Sequence, residues 1–157
     1  MTTGVAWAEP AAPEVPGEPV GPGATDAALV ASQAGNPVSQ ACKQFDRAIG
    51  IAALNYRDFA YATSGGGNYV DYSDPEVKRS NVLGRTALRA AATAALDASR
   101  MPALPPEVSD PMQAWSAQAA KLLVVMGLRR GGDSLNETAN QLNVHAYNAQ
   151  MACANHR

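Results

Sequence analysis

Two histidines, two cysteines and five tyrosines are the side chains of this 157-residue chain on which metal, haem or redox chemistry could rest. His156 stands in the terminal tail; His145 lies beside the apolar stripe of a predicted helix, near Gln141, Tyr147 and Asn148. Two histidines with an oxidised cysteine pair do not build a structural zinc site, and neither His-x-x-x-His nor Cys-x-x-Cys occurs, so no metal is expected. A tyrosine and a histidine together do hold haem iron, which makes Tyr56, Tyr61 and His145 the candidate ligands for haem or a small apolar molecule held between helices. Tyr56 also falls on a core stripe, and no resident cofactor is the simpler expectation.

Hydrolytic chemistry lacks its parts. There is no Gly-x-Ser-x-Gly turn, and a Ser/His/Asp set would depend on His145 inside a helix. Gly65-Gly66-Gly67 has neither the Lys-Ser/Thr ending nor the preceding strand of a phosphate-binding loop, and reads as a turn. Asn136-Glu137-Thr138 matches a glycosylation sequon but falls in the first turn of a predicted helix.

The elements that would position these residues are helices. Aromatics are few and alanine is abundant, which favours closely packed helices over a β-sandwich. Asn36-Pro37 offers a cap with proline at the first helical position. Val38, Cys42, Phe45, Ile49, Ala52, Tyr56, Phe59 and Thr63 then recur at alternating spacings of four and three, ending at Ser64-Gly65-Gly66-Gly67. Asp74-Pro75 repeats that start for an alanine-rich helix closing at Met101-Pro102. Asp110-Pro111 opens a third, with Met112, Trp115, Ala119, Leu122 and Met126 on one face, closing at Gly131-Gly132. Ser134-x-x-Glu137 reads as the capping box of a fourth, which presents Leu135, Ala139, Leu142, Ala146, Ala149 and Cys153.

Four helices with short connections predict an all-α, up-down-up-down four-helix bundle over residues 36–157. In that topology the start of the first helix and the end of the last meet, and Cys42 and Cys153 sit there on their apolar stripes. A disulfide between them is expected. Closing a loop of about 110 residues stabilises the fold by roughly 4 to 5 kcal/mol in the chain-entropy model. Phe45, Ile49, Tyr56, Phe59, Trp115, Leu122 and Leu142 should fill the interior, leaving no cavity of roughly 300 Å³, the lower end for small-molecule sites.

Residues 1–35 form a separate segment rich in Pro, Gly and Ala, expected to be a disordered tail. Ala6-x-Ala8 has the small-x-small pattern that signal peptidase accepts, so the segment also reads as the remnant of an export signal and the chain as secreted or extracytoplasmic. No run of about 18 apolar residues is present, so no transmembrane segment is expected. Four of the 14 acidic residues, Glu9, Glu14, Glu18 and Asp26, lie before residue 36, where there is no Lys or Arg. The remainder therefore sets ten acids against 12 bases. A net +2 falls far short of a nucleic-acid-binding stripe, and no nucleic-acid partner is expected.

Leu54-Asn55-Tyr56-Arg57, followed by Tyr72-Ser73-Asp74-Pro75-Glu76 and Val82-Leu83, resembles the spacing of the all-helical chorismate mutases, some of which are exported. The resemblance implies that Arg57 matches one of the arginines gripping a dicarboxylate in that family. The family's lysine between the two motifs is absent here, and Gly65 to Gly67 lie where it would stand. The layout of the whole chain is similar to the small Ala/Pro-rich secreted helical proteins of mycobacteria and related actinobacteria, which implies a cell-envelope or extracellular location and no particular activity. Together these features point to an exported, non-enzymatic helical domain binding an envelope or host component through its surface. The alternatives are a carrier of haem or a small apolar ligand and a chorismate-mutase-like enzyme, for which Arg47, Arg57, Arg85 and Arg89 would have to converge on one cavity.

Overall fold

A computed structural model of the chain describes residues 35–66 and 69–156. The expected export signal and tail fall on residues 1–34 and lie outside the described residues. Among the described residues the regular elements are α1 (Pro37–Thr63), a single 3-10 turn (Ser64–Gly66), α2 (Pro75–Ser99), α3 (Pro106–Gly127) and α4 (Gly132–Asn155). They form the expected up-down-up-down four-helix bundle.

Two of the four starts follow the sequence closely. The Asn36 side chain accepts a hydrogen bond from the Val38 amide at 3.0 Å, and Asp74 accepts from the amides of Glu76 and Val77 at 2.8 and 3.0 Å. Each satisfies amides that would otherwise lack partners at a helix start, and proline follows each cap.

The other two boundaries differ. Helix α3 begins at Pro106 rather than Pro111, and Pro111 lies inside it. Pro106 is already fixed near helical φ, and Val108, fully buried, extends the Met112, Trp115, Ala119, Leu122 stripe by one turn. That burial outweighs the one hydrogen bond Pro111 cannot donate. Helix α3 also ends before Gly131-Gly132. Its last turn closes on Arg129, at φ 53°, with the Arg129 amide donating to Met126 O and the Arg130 amide to Val125 O. This is the Schellman arrangement with arginine at the left-handed position usually taken by glycine. Helix α4 then starts at Gly132, with Gly131 as its cap, so the expected box at Ser134 and Glu137 does not form. Instead the Thr138 hydroxyl donates to Ser134 O, and Glu137 accepts from Gln141 one turn on.

Phe45, Phe59, Trp115, Leu122 and Met126 are fully buried at the bundle axis, and the Phe45 and Trp115 rings meet edge to face at 5.5 Å. Each such side chain contributes about 1.5–3 kcal/mol by leaving water. Small residues let the helices approach. A Cβ on Gly84 of α2 would lie 3.2 Å from the Met126 methyl and 3.5 Å from the Asn55 carbonyl. Hydrogen bonds cross from Gln44 to Ala94 O, from Asn81 and Ser116 to Met126 O and Ala92 O, and from Gln118 to Thr138 O. They join α1 to α2, α2 to α3 and α3 to α4 in turn.

Helices α1 and α4 close the ring with much sparser contact than any successive pair. At one end of their seam Cys42 and Cys153 are disulfide-bonded, with Cα atoms 5.7 Å apart across a separation of 111 residues. Toward the other end the loop before α2 folds over. The Tyr72 hydroxyl donates to Arg130 O at 2.7 Å, and Val70 packs so closely on Gly131 that a Cβ there would lie 3.0 Å from its methyl.

Candidate functional site

The sparse α1–α4 seam explains a difference in the core. Ile49 and Tyr56, on the α1 stripe, are only half-buried, because the helix that should cover them stands off. Together with Ala52, Ala53, Ala139, Leu142, Asn143 and Ala146 they wall a crevice of about 80 Å³ whose floor is Leu88, Trp115 and Leu122. Nearer the α4 start, Tyr56 also lines a groove of about 300 Å³ with Ala60, Thr63, Ser64, Val70, Gly132, Leu135 and Asn136. Phe45, Phe59, Trp115, Leu122 and Leu142 fill the core as expected, but Ile49 and Tyr56 do not, and the seam stays open with a groove of the size expected to be absent. Burial in it pushes the Tyr56 hydroxyl up to about 12, with a smaller contribution from Tyr72. Tyr72 is raised by burial as well, with the Arg129 charge opposing.

A second groove, of about 330 Å³, runs along the outer face of α1 and α2. It is lined by Arg57, Asp58 and Tyr61 from α1 and by Glu76, Arg79, Ser80 and Leu83 from α2. The antiparallel packing of the two helices makes it, with residues at three- and four-residue spacing on each facing the same furrow. Tyr61 is 79% exposed and Leu83 49%, so apolar surface stands between charges of both signs. Arg57 Nε lies 3.9 Å from Asp58 Oδ1, an exposed pair that adds little to stability.

The candidate residues thus separate. Tyr56 belongs to the α1–α4 seam, Tyr61 and Arg57 to the outer α1–α2 groove, and His145 is half-buried on α4 and lines neither. Of the arginines expected to converge, Arg57, Arg85 and Arg89 do not. Arg57 shares its groove with Arg79, Arg85 packs against Gly127 of α3, and Arg89 lines a furrow between α2 and α3. Among the described residues no three His, Cys, Asp or Glu side chains cluster as metal ligands. Glu76, Arg79 and Leu83 were not among the sequence-derived candidates. Their spacing of three and four on the face of α2 away from its core stripe was the available signal, and it acquires meaning only once α1 lies beside it.

No helix among the described residues is long and apolar enough to cross a membrane. No curated protein and no solved structure matches the chain. A family model matches residues 24–154, which covers all four helices almost to the end of α4: the chain belongs to the Rv2240c four-helix bundle domain family.

Proposed function

We propose that the chain is an exported, non-enzymatic binding domain that engages a protein of the cell envelope or of a host through the outer α1–α2 groove. The observation that carries this is Tyr61, with Leu83, held in solvent on the two helices among Arg57, Asp58, Glu76 and Arg79. Exposed apolar side chains gathered around a charged furrow have the make-up of a protein-binding face, in which tyrosine and arginine anchor the centre and charges set orientation. The disulfide supports the export part of the reading, since such bonds persist in oxidising compartments. Tyr56, Tyr61 and His145 line no common cavity, which favours this reading over haem ligation.

The test compares capture from an envelope extract by the full chain and by its Tyr61→Ala/Leu83→Asp double variant, with helix content checked by circular dichroism. One component retained by the first and lost by the second supports the reading. Equal retention by both refutes the assignment of the face.

A small apolar ligand in the α1–α4 seam is the second reading, supported by the crevice and groove that share Tyr56. Its mark would be a ligand released from the purified chain whose rebinding is lost in Ile49→Asp.

A further inference from the structure

The seam and the disulfide belong to one device. Helix α1 is interlocked with α2, and α4 with α3, by extensive contact and by the side-chain hydrogen bonds of Gln44 and Gln118. Between α1 and α4 the packing is sparse, and Ile49, Tyr56, Ala139 and Ala146 stay half-exposed even with the bridge in place. Separating these two helices therefore breaks little direct contact between them, and the cost of a local opening is set by the crevice floor it exposes. The covalent tie sits at one end of this weak interface. Both cysteines are fully buried, but Cys153 lies only two residues from the end of α4 at Asn155, so fraying of one terminal turn uncovers its sulfur.

We propose that Cys42–Cys153 is a redox latch on the α1–α4 seam. A dithiol reductant attacks a bridge sulfur through a mixed disulfide, breaks the S–S bond and leaves as its own cyclic disulfide, delivering two electrons and two protons to give two cysteine thiols. With the latch undone, α4 swings from α1 about its contacts with α3, and the crevice opens onto its floor of Leu88, Trp115 and Leu122. The pairs α1–α2, α2–α3 and α3–α4 keep their packing. The oxidised chain is the closed state and the reduced chain the open one, with apolar surface newly available to a ligand or partner.

Trp115 reports this directly because it is 1% exposed and forms the crevice floor. In the full chain carrying Trp7→Phe it is the sole tryptophan. Reduction, verified by alkylation of both thiols, should shift Trp115 emission to the red and make it accessible to acrylamide, while far-ultraviolet circular dichroism stays at its oxidised level. Hydrogen exchange should accelerate at seam residues of α1 and α4 and not across α2. Cys42→Ala/Cys153→Ala should match the reduced chain without reductant. A shielded Trp115 in the fully reduced protein would show that packing alone holds the seam. Loss of helix together with Trp115 exposure, or a double variant unable to fold, would show that the bridge supports the whole bundle and is no latch. Either result overturns the proposal.

Discussion

Arg129 holds the turn between α3 and α4 at φ 53°, in the left-handed region where a Cβ crowds the following carbonyl. That conformation costs a residue with a side chain about 1–2 kcal/mol. Glycine would not bear the cost but would leave the unfolded chain freer by about 0.4–1 kcal/mol. Arg129→Gly should therefore stabilise the domain by about 0.5–1 kcal/mol, since the Met126 and Val125 carbonyls keep their amide partners. At this chain length the shift in Tm is about 1–4 °C upward. Arg129→Ala serves as the control, because it removes the guanidinium beside Tyr72 but retains the Cβ. Thermal melts and urea titrations of the oxidised proteins would measure both. If Arg129→Gly is no more stable than Arg129→Ala, the strain argument fails, and if both are destabilised alike the guanidinium's contacts matter more than the backbone.

Replacing both Cys42 and Cys153 by alanine should cost about 5 kcal/mol in denaturant titrations, the chain-entropy value for a separation of 111 residues. Trp115→Ala should cost about 3–5 kcal/mol, because the side chain is enclosed and its edge-to-face partner Phe45 cannot collapse into the space. The raised Tyr56 hydroxyl makes a stability contribution that is complete below pH 10 and lost as pH rises through about 12. Absorbance titration near 295 nm should accordingly show a late-ionising tyrosine that disappears in Tyr56→Phe.

The topology and the pairing of Cys42 with Cys153 were legible because local signals agreed. Asn36-Pro37 and Asp74-Pro75 are strong starts, and the stripe from Val38 to Phe59 has a period only a helix satisfies. At Asp110-Pro111 an equally strong start was overridden, since Val108 had a place in the core and Pro105-Pro106 offered an earlier entry. The end of α3 was misread because Gly131-Gly132 suggests a terminator, whereas the terminating residue is Arg129 and the glycines fit beneath Val70 and begin α4. The seam was not legible at all. Ile49 and Tyr56 carry the same pattern as Phe45 and Phe59, and only the distance between α1 and α4 separates half-buried from buried. The outer groove was legible as separate residues, Arg57 and Tyr61, but not as a surface, because Glu76, Arg79 and Leu83 join them through packing of distant segments.

The binding account rests on the α1–α2 face, and site-specific photo-crosslinking tests it where it operates. A photoreactive residue is placed at Tyr61, at Leu83 or, on the outer face of α4, at Val144, which is 58% exposed and far from the furrow in sequence. Each chain is then irradiated with intact envelope, and the adducts are identified by mass spectrometry. The account predicts one and the same protein adduct from Tyr61 and Leu83 and none from Val144; adducts of equal yield from all three positions, or none at Tyr61 and Leu83, would contradict it.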